Sequence, residues 1–220
     1  MSSFWSSFIE AEVHGFIMTL KILALSMPLS ILLGLGLGVA RVYGNKVVSL
    51  LASSIVVLFR GFPLVVTLLV LFFGLSDLGL HLSPFWAAVI GFVLCSGSYQ
   101  SEYVRGALNA VDKGQVLAAR ALGMTRVQEI TYIVLPQALR IALPGITNEL
   151  IYMIKYSSLA FIIGVQEIFG VAVTFNSRYF RPVEIFITIA FLYLAMTAIA
   201  TIISRIIEKR TTIPGVLLKA

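Results

Sequence analysis

Long apolar stretches separated by short polar connections make up most of this chain. They cover residues 15–40, 47–75, 84–106, 137–163 and 183–207. Crossing ~30 Å of hydrocarbon takes about 20 helical residues at a rise of ~1.5 Å each, so every stretch is long enough to span a membrane. The pattern predicts an all-α integral membrane protein with five transmembrane helices, in which residues 1–220 form a single transmembrane domain.

The second stretch contains a break, Arg60-Gly61-Phe62-Pro63. Pro63 cannot donate a helical hydrogen bond and Gly61 tolerates unusual backbone angles, so we expect a kink or a discontinuity here. An arginine at this depth must face protein or water. Arg60 therefore either bonds carbonyl groups freed at the break or contacts a solute or a gate, and the sequence leaves both open.

The first stretch ends with Gly34 and Gly38, which lie four residues apart. This spacing places both glycines on one helix face, where they would let another helix approach closely inside a membrane. A run of glycines that is merely flexible is the alternative. The sequence alone does not choose between them.

The composition supports a membrane location. Hydrophobic residues make up 59% of the chain, charged residues 12%, and the mean hydropathy is +1.00. Soluble domains are about half apolar and about a quarter charged. The single cysteine, Cys95, excludes an intrachain disulfide and a cysteine metal cluster. We do not expect nucleic-acid binding from the net charge of +6, since basic residues beside spans are usually orientation signals.

The distribution of basic residues predicts the orientation. Five spans place the two termini on opposite sides, and cytoplasmic connections are rich in Lys and Arg. With the C-terminus in the cytoplasm, the outer side holds only Arg178 and Arg181. We therefore predict that the N-terminus is outside. The cytoplasmic basic residues are then Arg41, Lys46, Arg105, Lys113, Arg120, Arg126, Arg140, Arg205, Lys209, Arg210 and Lys219.

A polar stripe marks the fourth stretch. Asn148, Tyr152 and Lys155 fall at i, i+4 and i+7, with Glu149 beside them. Glu149 and Lys155 are six residues apart, point to different sides and cannot pair along the helix. Their partners must come from other helices, a second subunit or a water-filled path. The lining of a cavity and structural bonds between helices both remain open.

Residues 112–136, the polar segment, are predicted to form a helix–turn–helix on the cytoplasmic side. Asp112 can cap a first helix, Gly123 can end it in a left-handed conformation, and Thr125 with Gln128 has capping-box spacing. Pro136 is predicted to mark the start of the next span. The segment either docks a small-residue face on a partner or lies alone at the membrane interface.

The polar segment resembles a known motif. It is similar to the EAA loop of ABC-importer permeases, which docks as a coupling helix on the ATP-binding subunit. The matching pattern is Ala118-Ala119, then three residues, Gly123, nine residues and Ile133-Val134-Leu135-Pro136. The resemblance to the polar-amino-acid permease family covers roughly residues 15–210. Its other elements are Arg60-Gly61-Phe62-Pro63, which is similar to an RGTP element, residues 99–106, Lys113-Gly114-Gln115, residues 135–140, Asn148-Glu149 and residues 155–159.

This resemblance implies a permease subunit of an ATP-driven ABC importer for polar amino acids in a prokaryotic plasma membrane. It would pair with a second copy or a similar permease, with two ATP-binding subunits that hold ATP and Mg, and with an external solute-binding protein. The chain has no GxxxxGK[ST] phosphate-binding loop. We expect it to be no enzyme by itself, with no cofactor, metal or catalytic residue.

The ammonium and carboxylate groups of an amino acid need fixed partners inside a membrane. The predicted pathway residues are Ser98, Tyr99, Glu149, Tyr152, Arg60, Asn148 and Lys155. The predicted ATPase-coupling residues are Gly114, Ala118, Ala119, Arg120, Leu122, Gly123 and Arg126. Because Glu149 would favour a basic side chain, we expect basic amino acids slightly ahead of Gln or Glu; a purely structural Glu149 is the alternative.

Three positions depart from the family pattern. Leu117 stands where the motif usually has Glu, Phe62 replaces Thr in the RGTP element, and Tyr156 replaces Asp in a KDTSL-like run. We expect the polar segment to dock through its shape and its arginines rather than through a carboxylate at residue 117.

Two other functions remain open at this point. A secondary transporter or channel driven by an ion gradient would act without an ATPase, and usually has more spans or an inverted repeat. A scaffold subunit that only anchors an ATPase would have no solute pathway, against which the polar stripe argues mildly.

Overall fold

The computed structural model describes the backbone of residues 2–211 and the side chains of residues 4–211. The regular secondary structure of this part of the chain is entirely helical, with short connections and no strand. Turns of π-helix at Val70–Gly74 and Glu129–Val134, and a 3-10 helix at Ser157–Ile163, continue the neighbouring α-helices. The α-helices are α1 Ser2–Tyr43, α2 Lys46–Gly61, α3 Leu64–Leu69, α4 Leu75–Asp77, α5 Pro84–Ala110, α6 Lys113–Ala121, α7 Arg126–Gln128, α8 Leu135–Tyr156, α9 Ile168–Tyr179 and α10 Pro182–Thr211.

Within the described residues, three helices are long and apolar enough to cross a membrane. They are Phe4–Tyr43, Arg126–Ile163 and Pro182–Thr211. The pair Lys46–Gly61 and Leu64–Asp77 also qualifies when taken together, and it is bent by 106°. The bend lies between Gly61 and Leu64, so the predicted break at Pro63 is confirmed. Pro63 has an extended ψ of 137°, which the residues of an α-helix do not adopt.

Helix α5 has the length of a span but a more polar sequence. It packs against α1, α2, α3 and α8 and is therefore largely surrounded by protein rather than lipid. Its start agrees with the prediction, because Ser83 caps the helix and Pro84 occupies its first position. A central helix can carry buried polar residues if other helices bond them. Those of α5 are Ser96, Ser98, Gln100 and Ser101.

Helices α1 and α5 approach closely at Gly34 and Gly38. A Cβ atom at Gly34 would lie 2.6 Å from Cβ of Gln100, and one at Gly38 would lie 2.6 Å from Cγ1 of Val104. Real Cβ atoms do not come this near to another carbon atom. The close-approach interpretation of these two glycines is therefore correct, and the merely flexible run is not.

The structure differs from two of the predicted boundaries. The first helix begins at Ser2 rather than near residue 15, since Phe4 and Phe8 pack against α9 and α10. Residues 164–182 are not a long loop, because they contain α9, which Glu167 caps by accepting bonds from Phe169 N and Gly170 N at 3.0 and 2.8 Å.

Pro136 was predicted to mark the start of the fourth span, and it lies in the first turn of α8. The helical run nevertheless begins earlier, because it is continuous from Arg126 across this proline to Ile163. The π-helical turn Glu129–Val134 directly before Pro136 changes the hydrogen-bonding pattern where a proline cannot donate. The second helix of the polar segment and the fourth apolar stretch are consequently one continuous helix.

Candidate functional site

A cavity of about 540 Å³, the central cavity, lies beside the bend between α2 and α3. Its walls come from that bend, from α5 and from the C-terminal part of α8. Both apolar and polar side chains contribute. The lining residues are Phe59, Arg60, Gly61, Phe62, Pro63, Leu64, Cys95, Tyr99, Tyr103, Glu149, Tyr152, Tyr156 and Leu159.

The acidic side of the central cavity is formed by Glu149. This residue is 4% exposed, and its Oε1 accepts a 2.6 Å hydrogen bond from the hydroxyl of Tyr156. Tyr156 is the last residue of α8, two helical turns beyond Glu149, so both side chains lie on the same face. A carboxylate inside a membrane domain needs such a donor, and here the same helix provides it.

The basic side of the central cavity is formed by Arg60. Its guanidinium carbon lies 5.2 Å from the centre of the Tyr99 ring, within the range of a cation–π interaction. Its Nη1 lies 2.8 Å from Oε1 of Glu102. One acid, one base and four tyrosines thus line a single cavity, and this set can bind both charged groups of a small zwitterion.

Four of the predicted pathway residues line the central cavity, namely Arg60, Tyr99, Glu149 and Tyr152. The other three do not. Ser98 is buried and donates to the carbonyl of Leu94 at 2.7 Å, whereas Asn148 is exposed on another side of α8.

Lys155 lines a second cavity of about 300 Å³, and its Nζ lies 4.8 Å from the centre of the Tyr152 ring. Lys155 and Glu149 do not pair, as their spacing indicated. Tyr103 and Tyr156 also line the central cavity, and neither was among the predicted pathway residues. Both carry a helical signal, because Tyr103 follows Tyr99 by one turn and Tyr156 follows Glu149 by two turns.

The polar segment forms the predicted helix–turn–helix. Oδ1 of Asp112 accepts from Gly114 N at 2.6 Å, and Gly123 adopts φ +78°. Thr125 and Gln128 form a complete capping box. All of these local signals are confirmed, since each depends on neighbouring residues alone.

The arginines of the polar segment contact the chain itself. Arg120 Nε donates to Oε2 of Glu129 at 2.7 Å, and Nη2 donates to Oε1 at 3.3 Å. This bonding raises the pKa of the Arg120 guanidinium, so the group is charged at any physiological pH. Arg126 Nη2 donates to the carbonyl of Tyr43, at the end of α1, at 3.5 Å. The pair with Glu129 links the two helices of the segment, and the bond to Tyr43 holds the segment against the end of α1.

The exposed surface of the polar segment includes small and apolar side chains among its polar ones. Leu117 is 64% exposed and Leu122 is 83% exposed, and Ala118 is exposed between them. Ala119 is only 3% exposed, so it packs inward rather than toward a partner. In the part of the chain that the structure describes, no group of three or more His, Cys, Asp or Glu residues could hold a metal ion.

A bundle of apolar helices, a broken span and a cavity lined by charged residues define a multi-pass membrane transport protein. The match to a family model specifies the class further. Residues 26–213 match the model of the binding-protein-dependent transport system inner membrane component. The chain belongs to this family, which confirms the resemblance seen in the motifs.

Curated relatives match over nearly the whole chain. The octopine transport system permease protein OccM of Rhizobium meliloti is 37% identical over 93% of this chain and 86% of its own length. The glutamine transport system permease protein GlnP of Escherichia coli is 35% identical over 96% of this chain and 97% of its own length. The arginine transport system permease protein ArtQ of Bacillus subtilis is 33% identical over 90% of this chain and 91% of its own length.

Solved structures show the same fold. The crystal structure of an amino acid ABC transporter with histidines superposes with a TM-score of 0.86 and 34% identity, over 94% of this chain and 96% of that one. The MetNI methionine ABC transporter in an inward-facing conformation superposes with a TM-score of 0.81 over 94% of this chain and 99% of that one. At 21% identity, the second match bears on the fold alone.

Proposed function

We propose that this chain is the permease subunit of an ATP-driven ABC importer that carries polar amino acids across a prokaryotic plasma membrane. The observation that carries the proposal is the placement of Arg60 and Glu149 in one cavity beside a broken span. The carboxylate of an amino acid pairs with Arg60, and its ammonium group pairs with Glu149. The family and the amino-acid permeases among its relatives support the same conclusion.

The chain crosses the membrane five times, with its N-terminus outside and its C-terminus in the cytoplasm. The three long apolar helices and the bent pair supply four spans. Helix α5 supplies the fifth, since its buried Gln100 and Ser101 bond Ser30 and Arg41 of α1 instead of facing lipid. The excess of Lys and Arg near the polar segment and the C-terminus supports this orientation.

The polar segment docks on a partner ATP-binding subunit, which holds ATP and Mg. The exposed apolar side chains Leu117 and Leu122 support docking, because a monomeric surface rarely presents such residues together without a partner. The Arg120–Glu129 pair gives the segment a fixed shape. Because the helix is continuous from Arg126 to Ile163, movement of the ATPases is transmitted to α8 without a flexible connection.

The permease works as a dimer, either with a second copy of itself or with a similar chain, and it receives its solute from an external binding protein. Asn148 and Lys155 on α8 support the pairing, because both are exposed on a helix that crosses the membrane. A lysine cannot face lipid at this depth without a large cost. A second permease or a water-filled path between two permeases would shield it.

The solute is a polar amino acid, and we propose a slight preference for basic ones over Gln and Glu. Glu149 supports this preference, since a second cationic group on the solute also gains from a carboxylate in the cavity. The relatives are named for octopine, arginine and glutamine, so the class of solute is supported more broadly than the preference.

Uptake by the reconstituted complex tests the proposal. The permease, its ATPase and its solute-binding protein are placed in vesicles, and uptake of labelled arginine, lysine, histidine, glutamine and glutamate is measured with and without ATP. We expect ATP-dependent uptake that Glu149→Gln combined with Tyr152→Ala reduces strongly. Uptake driven by an ion gradient without ATP would instead indicate a secondary transporter, and uptake unchanged by the double variant would remove both residues from the site.

A second experiment tests the coupling surface. A tagged chain should copurify with an ATP-binding subunit. Gly123→Asp should strongly reduce ATP-driven uptake, because φ +78° disfavours a residue with a Cβ atom and the new charge lies on the exposed turn of the segment. Absence of an ATPase from the purified complex, or full uptake by the variant, would contradict the importer assignment.

A further inference from the structure

Three arginines converge on the single carboxylate of Glu102, near the cytoplasmic end of α5. Oε1 lies 3.0 Å from Arg41 Nη2 and 2.8 Å from Arg60 Nη1. Oε2 lies 2.8 Å from Arg105 Nη2. Glu102 and Arg105 form a local pair three residues apart on α5, and arginines from α1 and α2 join it. We call these four residues the Glu102 cluster.

One member of the Glu102 cluster is held firmly by other contacts. The side chain of Arg41 is only 12% exposed. Its Nε lies 3.3 Å from the hydroxyl of Ser53, and its Nη1 lies 3.3 Å from the hydroxyl of Ser101. Because α1, α2 and α5 all contribute to these contacts, the carboxylate of Glu102 has a fixed position relative to three helices.

Arg60 is anchored to this fixed carboxylate at one end only. A guanidinium group has five N–H donors, and among the described residues Arg60 makes one hydrogen bond, to Glu102. Its carbon atom lies 5.2 Å from the centre of the Tyr99 ring, at the wall of the central cavity. The remaining N–H groups are thus available to an anion in the cavity.

We infer that Glu102 is a positioning residue that holds the Arg60 guanidinium against Tyr99 and toward the central cavity, where it receives the carboxylate of the solute. Glu102 itself does not line the cavity. The inference rests on the proposed function and adds a residue to it. Without the bond to Glu102, the long side chain of Arg60 would sample other rotamers next to the bend at Pro63, and fewer of them would face the solute.

A double-mutant cycle on the purified permease–ATPase complex tests this inference. Binding of labelled L-arginine or L-glutamine, whichever the wild-type complex transports faster, is measured without the solute-binding protein. The variants are Arg60→Gln, Glu102→Gln and both together. Arg105→Gln is the matched control, since it removes an ion pair from the other oxygen of Glu102 and leaves the bond to Arg60.

The Arg60→Gln variant loses a charge-assisted hydrogen bond to the solute, so it should bind the solute about tenfold more weakly. Glu102→Gln should weaken it severalfold, and Arg105→Gln should change it little. If Glu102 acts only through Arg60, the double variant should bind within about twofold of Arg60→Gln alone. Effects that multiply in the double variant, as two independent roles would, overturn the inference.

Glu102→Asp keeps the charge and serves as the second variant if Glu102→Gln does not assemble with the ATPase. The shorter side chain retracts from Arg60, so solute binding should still fall severalfold while assembly is normal. Unchanged binding by the Asp variant overturns positioning and leaves only a charge-balancing role. A wild-type complex that transports no amino acid would refute the proposed function itself, which separates the two failures.

Discussion

The hydroxyl of Tyr156 lies 2.6 Å from Oε1 of Glu149 and donates a hydrogen bond to it, which fixes the acidic side of the central cavity. Glu149 is 4% exposed, so water cannot replace this donor freely. Tyr156 stands where the family pattern has Asp. A second carboxylate there would repel Glu149, whereas the tyrosine stabilises it.

Replacing Tyr156 by Phe should therefore destabilise the protein. The buried carboxylate of Glu149 would lose a hydrogen bond, which costs about 1–3 kcal/mol. Thermal unfolding of the purified complex measures the effect. Adding Glu149→Gln to the same chain should recover part of the stability, because an amide carries no charge to be buried.

Tyr103→Phe is the matched control for this change. Tyr103 also lines the central cavity, but in the described structure its hydroxyl does not bond Glu149. The Tyr103→Phe variant should leave the unfolding temperature of the complex nearly unchanged. Equal stability of the Tyr156 and Tyr103 variants would show that the hydrogen bond to Glu149 contributes nothing.

Local signals allowed much of this fold to be predicted from the sequence. The break at Pro63, the cap at Asp112 and the left-handed Gly123 all depend on a few neighbouring residues, and each was found where expected. Helix α9 was missed because its identification needed two facts together. Glu167 is a cap, and the apolar residues after it pack against α1 and α10.

Candidate site residues were harder to predict, since helical periodicity does not show which face of a helix meets a cavity. Tyr99, Glu149 and Tyr152 line one cavity, whereas Ser98 bonds the carbonyl of Leu94 in the packed interior. The Glu102 cluster joins residues up to 64 positions apart along the chain, and apart from the i, i+3 pair of Glu102 and Arg105 no spacing rule relates them. Only the packing of α1, α2 and α5 brings them together.

The close contact of α1 and α5 predicts different outcomes for neighbouring glycines. Gly34→Ala would place Cβ 2.6 Å from Cβ of Gln100 and 2.9 Å from the carbonyl oxygen of Gly97, so the helices would have to separate. Overpacking of this kind costs about 1–3 kcal/mol. The unfolding temperature of the purified complex should fall accordingly.

Gly36→Ala tests whether the position or merely the loss of a glycine matters. No atom lies within 4 Å of a Cβ built at Gly36, and alanine is the better helix former. This variant should be as stable as the wild type or slightly more stable. If Gly34→Ala and Gly36→Ala behave alike, the helix contact described here is wrong.

The pair of Arg120 and Glu129 predicts an effect on coupling without an effect on solute binding. Arg120→Ala should loosen the polar segment, because Glu129 is 3% exposed and would lose a bidentate partner. ATP-driven uptake should fall severalfold, while binding of the solute by the complex stays unchanged. Uptake and binding are measured on the same preparation.

Lys113→Ala controls for loss of positive charge on α6. Lys113 is exposed and, among the described residues, makes no ion pair within 4 Å. It should leave uptake near the wild-type rate. Exchanging the two charges, with Arg120→Glu and Glu129→Arg in one chain, should restore part of the coupling; a further loss would argue against the pair as its source.

The exposed apolar residues of the polar segment predict which contact to the ATPase matters most. Leu122 is 83% exposed next to the turn at Gly123, and burying a leucine in an interface contributes about 1.5–3 kcal/mol. Leu122→Asp should therefore reduce copurification of the ATPase about tenfold or more. Leu117→Glu introduces the residue that the family motif usually has, so the ATPase surface should accept it with little change. The opposite result would be retention of the ATPase by Leu122→Asp and its loss by Leu117→Glu. It would place the principal contact at residue 117 and contradict docking through Leu122.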